Sequence, residues 1–158
     1  MVFDWAEPGD LPQILQLLER ANLPTDDLGP ELLGVFLVAR RDGRVIGSGG
    51  LEPFGDIALL RSVAVDPTAR GSGLGSRIVQ ALERKAEHLG IDNVFLLTTT
   101  ATEFFRAQGY AATPREGAPA PIRTSTQFST LCPDTAVFMH KAIGSSASAG
   151  ETYRSTNR

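Results

Sequence analysis

The chain has 158 residues, of which 42% are hydrophobic, and this length suits one globular domain with its own core better than two. Its formal net charge of −3 argues against nonspecific nucleic-acid binding, which needs many cationic side chains to displace counterions from phosphates. A single cysteine excludes an internal disulfide and multi-cysteine metal sites, so we expect no metal cofactor.

The N-terminal segment Met1–Glu7 carries two acidic residues and no basic region before an apolar run, so it does not resemble a secretory signal. No apolar stretch approaches the roughly 18 to 20 residues that cross a bilayer. We therefore expect a cytoplasmic protein without a membrane or nucleic-acid partner.

The N-terminal quarter predicts a strand, a helix and a turn. Val2–Trp5 is typical of a short strand, and Asp10 is a candidate N-cap for a helix that ends near Asn22. Prolines, glycines and aspartates between Leu23 and Gly34 predict a turn with a short helical piece around Glu31–Leu33.

A hairpin and a central strand follow. Val35–Ala39 and Arg44–Leu51 predict two strands joined at Asp42-Gly43, a dipeptide suited to positive backbone φ. Both the odd- and the even-numbered positions of Ile57–Val65 are apolar except Arg61 and Ser62, which predicts a strand covered on both faces.

The next segment alternates helix and strand. Ser76–Leu89 has helical apolar spacing and ends at Gly90, Asn93–Thr99 predicts a strand, and Thr102–Gln108 predicts a short helix.

The C-terminal part predicts a loop, a strand and a tail. Pro114–Pro133 holds four of the ten prolines and is expected to be mainly loop, with one helical turn near Thr126–Leu131. Thr135–Ile143 alternates like a strand, and the Ser-, Ala- and Gly-rich residues 144–158 predict a disordered tail. The expected organisation is one domain over residues 1–143 followed by this tail.

The segment most informative about chemistry is Arg70–Ser76, a glycine-rich turn between a predicted strand and a predicted helix. Such a turn lets backbone N–H groups approach an anion, and the helix N-terminus adds partial positive charge. A P-loop would need Gly-Lys-Ser/Thr here, and a dinucleotide fingerprint would place its glycines after the first strand. Neither pattern is present, so the turn predicts a phosphate site of another kind.

This turn resembles the acyl-CoA signature of the GNAT superfamily, Arg/Gln-x-x-Gly-x-Gly/Ala, in the residues Arg70-Gly71-Ser72-Gly73-Leu74-Gly75. The preceding Val63-Ala64-Val65-Asp66-Pro67 and the later Ala101–Tyr110 stretch are also similar to the family. The resemblance implies an α/β (α+β) GNAT fold, with a mixed central sheet of six to seven strands and about four helices, splayed at an acetyl-CoA cleft. It also implies an acetyl-CoA-dependent N-acetyltransferase, with acetyl-CoA as co-substrate.

Carried over by position, the resemblance assigns main-chain groups to two parts of the cofactor. Val63 and Val65 would contact the pantetheine arm through main-chain groups, and Phe105 would pack on this arm. The glycine turn would bind the pyrophosphate through the amides of Gly71, Ser72, Gly73, Gly75 and Ser76. The same motif also includes Arg70 and Leu74. Many relatives have a tyrosine acid where this chain has Phe105, so water or another group must protonate the thiolate, or the thiolate leaves without an acid.

For the general base we expect Glu52, at the end of the strand before the central one, or alternatively Asp56. A water chain also suffices if the site lowers the pKa of the amine. Tyr110 is a further candidate acid, although core packing is the more common role at that position.

A narrower resemblance concerns the substrate. Leu23-Pro24-Thr25-Asp26-Asp27-Leu28 and Ile122–Pro133 are similar to the GNAT subgroup encoded in arsenic-resistance operons, which implies an amino acid bearing an arsenic or phosphinic group. Arg61, Arg115 or Arg123 would hold the oxyanion, and Asp26 or Asp27 would attract the ammonium, with Thr25 nearby. Cys132 lacks the further thiols that hold trivalent arsenic and is expected to pack beneath the Pro133 turn.

Two other functions remain open at this stage: acetylation of a protein or peptide, which needs an open groove, and noncatalytic sensing of acetyl-CoA, which Phe105 would permit. The resemblance also makes a homodimer possible.

Overall fold

The computed structural model describes residues 1–131 and 135–144, and within them one sheet of seven strands. The strands are β1 (Val2–Trp5), β2 (Phe36–Arg41), β3 (Arg44–Phe54), β4 (Ile57–Val65), β5 (Asn93–Thr98), β6 (Ala111–Ala112) and β7 (Val137–Ala142). Their order across the sheet is β1-β2-β3-β4-β5-β7-β6, and only the β4–β5 pair is parallel. The expected mixed sheet is confirmed.

The described residues form four α-helices: α1 (Leu11–Arg20), α2 (Leu74–His88), α3 (Thr102–Ala107) and α4 (Ala120–Arg123). Short 3-10 turns cover Pro8–Asp10, Pro30–Val35, Pro67–Ala69 and Arg115–Gly117, and a single π-helical turn covers Gln127–Leu131. In these residues no helix has the length and apolar character needed to cross a membrane. They also contain no group of three or more His, Cys, Asp or Glu side chains arranged to hold a metal ion.

Each face of the sheet is covered by a different helix because each helix is amphipathic. α2 buries Leu74, Ile78 and Leu82 against one face, and α3 adds Phe105 to the same cluster. α1 buries Ile14 and its neighbours against the opposite face. A third cluster, on the same face as α1, packs Ala118, Ile122 and Phe128 of the long loop that follows β6 against Leu59, Phe95 and Phe138.

The expected capping role of Asp10 is wrong. Its side chain makes no cap hydrogen bond to α1 but accepts the Glu7 amide at 2.8 Å and closes the preceding 3-10 turn. The same carboxylate accepts two hydrogen bonds from Arg40, at 2.7 and 2.9 Å, which joins the turn to β2. A carboxylate binds a bidentate arginine more strongly than it binds a neutral amide donor, so Arg40 determines the orientation of the Asp10 side chain.

Several boundaries also differ from the expectation. Strand β3 runs to Phe54, three residues past the expected end, so Glu52 lies inside the strand rather than at its end. The loop from Pro114 contains α4 as well as the expected turn near Thr126–Leu131, and the short strand β6 was not expected. Cys132, Pro133 and the tail beyond residue 144 lie outside the described residues.

A β-bulge interrupts strand β4 where the sheet leaves its regular register. Ser48 of β3 pairs with Ala64 and Gly50 pairs with Arg61, so Ser62 and Val63 together oppose one residue of β3. Ser62 has φ of +59°, and its carbonyl accepts a hydrogen bond from the Ser48 hydroxyl at 2.9 Å. The extra residue reverses which side chains face α2 from that point on.

Gly50 of β3 is closely packed against the neighbouring strand. Gly50 pairs with Phe36 across β2 and β3, and a methyl group at Gly50 would fall into the buried Phe36 ring. We expect Gly50→Ala to lower the free energy of unfolding by about 1–3 kcal/mol in urea denaturation, because the ring has no empty space to enter. Gly117→Ala is the control, since a methyl group there meets no atom within 4 Å. Equal stability of the two variants would contradict this account.

Candidate active site

Strands β4 and β5 separate after a short paired segment. Their parallel pairing covers only three residue pairs, from Ile57 with Asn93 to Leu59 with Phe95, although β4 continues to Val65 and β5 to Thr98. The bulge at Ser62 and Val63 turns β4 away at this point. A gap therefore opens in the middle of the sheet, lined by strand backbone on both sides.

Two connected cavities occupy this gap. The larger, of about 550 Å³, runs along β4 from Leu60 to Val65 and reaches Arg70, Gly75 and the aromatic residues of α3. The smaller, of about 180 Å³, lies towards Pro24, Gln127 and Ala136. They share residues of both strands: Leu60, Arg61, Ser62, Leu97, Thr98 and Thr99, together with Leu23. The gap thus offers a long compartment and a small one that meet near Arg61.

The glycine turn stands at one mouth of the larger cavity. Gly71 and Gly73 have φ of +82° and +78°, a conformation that L-residues with side chains rarely adopt. Gly73 is the N-cap of α2, and the buried Leu74 anchors the first turn of that helix. The first N–H groups of a helix lack intrahelical acceptors and carry the positive end of the helix dipole. This geometry suits an anion such as a pyrophosphate.

Asp66 stabilises the segment that leads into the turn, a role that the local sequence pattern does not reveal. It is buried and accepts hydrogen bonds from the Thr68 amide at 3.0 Å and the Thr68 hydroxyl at 2.7 Å. Arg20 and Arg44 reach the same carboxylate at 3.3 and 3.1 Å. The bonds from Thr68, followed by the charges of the two arginines, hold the pKa of Asp66 below its ordinary value. The segment that leads into the glycine turn is therefore fixed.

Aromatic side chains of α3 form one wall of the larger cavity. Phe104 and Phe105 both line it and pack edge to face, and a β-carbon added at Gly75 would lie 3.1 Å from the Phe104 ring. Tyr110 instead lies in the core, where its hydroxyl donates to Glu83 at 3.0 Å. Burial, followed by the charge of Glu83, raises the pKa of Tyr110 far above its usual value. That placement favours the packing role over the acid role for Tyr110.

Arg61 is the charged group at the junction of the two cavities. Its side chain is 1% exposed and forms a bidentate pair with Asp27, at 2.6 and 2.7 Å, and a longer contact with Glu52 at 3.4 Å. Gln127 donates to Asp27 at 3.4 Å, so the cluster joins both predicted substrate loops to strand β4. Burial alone would raise the pKa of Asp27, but the hydrogen bonds and charge of Arg61 outweigh it and lower that pKa.

The two predicted bases occupy different surroundings. Glu52 points towards the junction, since its carboxylate contacts Arg61. Asp56 is exposed in the turn before β4, and its carbonyl accepts the Asp92 amide at the paired end of β4 and β5. Five residues of extended strand, about 16 Å, separate Asp56 from Arg61. Glu52 thus reaches the gap only through its contact with Arg61 and lines neither cavity, and Asp56 lies further away.

The predicted substrate residues are only partly brought together. Arg61 lines both cavities, and Thr25 lies half-buried in the loop that carries Asp27. Asp26 is exposed, and Arg123 is exposed at the end of α4. Arg115 donates to the Ala136 carbonyl at 3.0 Å and stacks over Phe128, so it supports the loop.

Sequence reasoning missed several lining residues, among them Ser62, Leu97, Thr99, Phe104 and Gln127. The run Thr98-Thr99-Thr100 directly after an apolar strand was the available signal for polar groups at a strand end. Gln127 carried no such signal, because its approach to Asp27 depends on the fold of a loop 100 residues away.

A family model described as "Acetyltransferase (GNAT) family" matches residues 3–111, more than half of the chain. The chain belongs to the GNAT acetyltransferase family. Membership confirms the resemblance that was drawn from the glycine turn and its flanking strand, and the match includes β4, the turn, α2 and α3 of the cleft described above.

Curated relatives are named amino-acid acetyltransferases. The Mycobacterium tuberculosis protein of this name is 40% identical over 139 residues, which cover 80% of this chain and 75% of the relative. The Azotobacter vinelandii protein is 33% identical over 90 residues, covering 56% of this chain but 21% of the relative. The chain therefore spans about a fifth of that longer relative and three quarters of the mycobacterial one.

Solved structures share the fold. An N-acetylglutamate synthase from Neisseria gonorrhoeae, in complex with coenzyme A and N-acetyl-glutamate, has a TM-score of 0.78 at 23% identity and covers 90% of this chain and 35% of its own. A Mycobacterium tuberculosis protein in complex with CoA and NLQ has a TM-score of 0.76 at 27% identity, covering 90% of this chain and 99% of its own.

Proposed function

We propose that this protein is an acetyl-CoA-dependent N-acetyltransferase that acts on the amine of an amino acid or a similar small molecule. The observation that carries the proposal is the gap between β4 and β5, with the glycine turn at its mouth and a small second cavity joined to it at Arg61. The family membership and the names of the amino-acid acetyltransferase relatives support it.

The larger cavity has the features that acetyl-CoA requires. A pyrophosphate fits against the turn from Arg70 to Ser76, where Gly71 and Gly73 keep the backbone in a conformation that exposes N–H groups. The pantetheine arm carries amides and fits beside the unpaired backbone of Val63 and Val65, as an added strand would. Phe105 supplies an apolar surface along this arm.

The smaller cavity suits a small acceptor better than a peptide. Its volume of about 180 Å³ is below the roughly 300–1,000 Å³ of pockets for drug-sized ligands. Loop residues Leu23, Pro24 and Gln127 form part of its lining. Arg61 with two carboxylates gives the junction a formal net charge of −1, which attracts the ammonium form of an amine.

Transfer requires the amine to lose a proton and its nitrogen to attack the thioester carbonyl, after which the C–S bond breaks and CoA leaves as a thiolate. Glu52 is the proposed base, acting directly or through water, because its carboxylate lies beside the junction. Phe105 has no proton to donate, so the thiolate leaves unassisted or takes a proton from water.

A narrower proposal keeps the arsenic- and phosphinic-containing amino acids as acceptors within this class. The Asp27 loop and Gln127, which belong to the two stretches similar to the arsenic-resistance subgroup, meet at Arg61. Because Asp27 already occupies Arg61 bidentately, an anionic side group of the acceptor must displace Asp27 or find another cation, for which Arg123 is the proposed candidate.

The test is a kinetic panel with purified full-length protein, acetyl-CoA and acceptors of several kinds: glutamate, glutamine, arginine, phosphinic and arsenical amino acids, and short peptides. We expect CoA release and a product heavier by one acetyl group with at least one free amino acid. The variant Glu52→Gln is measured in parallel across pH, and we expect a lower kcat and an altered acidic limb of its pH profile.

Because Cys132 is the chain's one thiol, Cys132→Ser is the control for any assay that detects released CoA with a thiol reagent. Acetylation of peptides alone would replace this proposal with the peptide acetyltransferase function. Tight acetyl-CoA binding without turnover of any acceptor would favour a sensor. An unchanged pH profile in Glu52→Gln would remove Glu52 as the base.

A further inference from the structure

The hydrogen bond between Gln108 and Ser76 joins the end of α3 to the first turn of α2. Gln108 Nε2 donates to Ser76 Oγ at 2.8 Å, across 32 residues of sequence. Ser76 is the third residue of α2 and lies directly after Gly75 of the glycine turn. The contact therefore ends at the helix terminus that faces the proposed pyrophosphate site.

The backbone of Gln108 is itself held in place. Its carbonyl accepts a hydrogen bond from the Lys141 ammonium at 2.8 Å, and Lys141 also pairs with Glu83 of α2 at 3.0 and 3.1 Å. Glu83 accepts the Tyr110 hydroxyl on the same side. The Gln108 backbone is thus linked to α2 through Lys141, and Tyr110, two residues further on, binds the same Glu83.

A serine hydroxyl offers one donor and two acceptor positions, whereas an amide N–H only donates. Because Gln108 occupies Ser76 Oγ as a donor, the hydroxyl proton must point elsewhere. Helical serines commonly donate to a carbonyl one turn back, but among the described residues the side-chain hydrogen bond at Ser76 is the one its Oγ accepts from Gln108. Its proton is therefore available to an anion at the turn.

We propose that Gln108 is a positioning residue for acetyl-CoA: its amide fixes the polarity of the Ser76 hydroxyl, so that this hydroxyl donates a hydrogen bond to the cofactor pyrophosphate. The inference rests on the proposed function and adds a side-chain donor to a site otherwise made of main-chain N–H groups. The other hydroxyl of the turn is already used as a donor, because Ser72 Oγ donates to the Ala69 carbonyl at 2.5 Å.

The experiment measures acetyl-CoA affinity by calorimetry for full-length wild type, Gln108→Met, Gln108→Glu, Ser76→Ala and the double variant Ser76→Ala/Gln108→Met. Gln108→Met removes the donor with little change in shape, and we expect a three- to tenfold weaker affinity, about the value of one hydrogen bond. Gln108→Glu forces the hydroxyl to donate to the new carboxylate and adds negative charge, so we expect a loss of about 30-fold or more. Gln80→Met, on the exposed side of α2, is the matched control.

Two readouts separate positioning from a general structural effect. The double variant should bind acetyl-CoA no more weakly than Ser76→Ala alone, because the amide has no hydroxyl left to orient. Acetyl-pantetheine lacks the pyrophosphate, so its KM should be the same in Gln108→Met and wild type, while the KM for acetyl-CoA rises at constant kcat.

Wild-type affinity in Gln108→Glu, or a Gln108→Met effect that persists in full without the Ser76 hydroxyl, would overturn the inference. Failure of the wild type to bind acetyl-CoA would instead overturn the proposed function, so the two failures are distinguishable.

Discussion

Replacing Gly73 by valine is expected to weaken acetyl-CoA binding by two to four orders of magnitude. Gly73 caps α2 at φ of +78°, where a β-branched side chain is strongly disfavoured. The turn relieves this strain by changing its backbone conformation, which moves the N–H groups of the first helical turn away from the pyrophosphate. Losing two charge-assisted hydrogen bonds, each about 1.5–3 kcal/mol, gives this loss of affinity.

The matched control for this prediction is Gly43→Val. Gly43 has almost the same φ, +77°, and a β-carbon added there likewise meets no atom within 4 Å, but this glycine lies in the turn between β2 and β3. Both variants should lose comparable stability in thermal unfolding, yet only Gly73→Val should show a weaker affinity for acetyl-CoA by calorimetry. Retained affinity in Gly73→Val would mean that the turn does not hold the pyrophosphate.

Replacing Arg61 by methionine is expected to lower the free energy of unfolding by about 3–5 kcal/mol, because it leaves the carboxylate of Asp27 in a poorly hydrated site without its cation. Asp27 is 12% exposed at its side chain, so only limited hydration replaces the lost pair. The double variant Arg61→Met/Asp27→Leu should recover most of the loss, since an apolar pair of similar volume is tolerated where a lone charge is not. Urea denaturation measures both.

The exposed pair Arg106 and Glu103 provides the control for the Arg61 experiment, and Arg106→Met should change stability by less than about 1 kcal/mol. Because the pKa of Asp27 is lowered in the folded state, the contribution of its pair with Arg61 is present above about pH 4 and is lost as the pH falls through the folded pKa. Equal losses in the single and double variants would show that the two residues are not coupled.

The sequence was most informative where local pattern and backbone chemistry decide the structure. The bounds of β4 were predicted as observed, and α2 was displaced by two residues at its start, because apolar spacing and flanking glycines specify both elements. The positive φ of Gly71 and Gly73 follows from their place between a strand and a helix. The mixed sheet and its splay at the cleft came from the family resemblance rather than from periodicity, and the strand order was not predicted.

What the sequence did not reveal depends on contacts between distant residues. The role of Asp10 was mispredicted because Arg40, 30 positions away, binds its carboxylate. The bulge at Ser62 depends on a hydrogen bond from Ser48, and the pairing of Arg61 with Asp27 spans 34 positions. None of these contacts leaves a local pattern, so the cluster at the cavity junction was visible only as three separate charged residues.

The gap between β4 and β5 has a consequence for what the molecule admits. An unpaired strand edge at the rim of a sheet recruits other polypeptides, which is why rims are usually short or charged. Here the unpaired edge is recessed inside the sheet, between the Leu23 loop and the Phe104 ring. A polypeptide that paired there would need room for side chains on both faces of the sheet, whereas a slender chain bearing amides needs less room beside the strand. The recess therefore favours a narrow ligand over a second polypeptide as the partner of the unpaired strand edge.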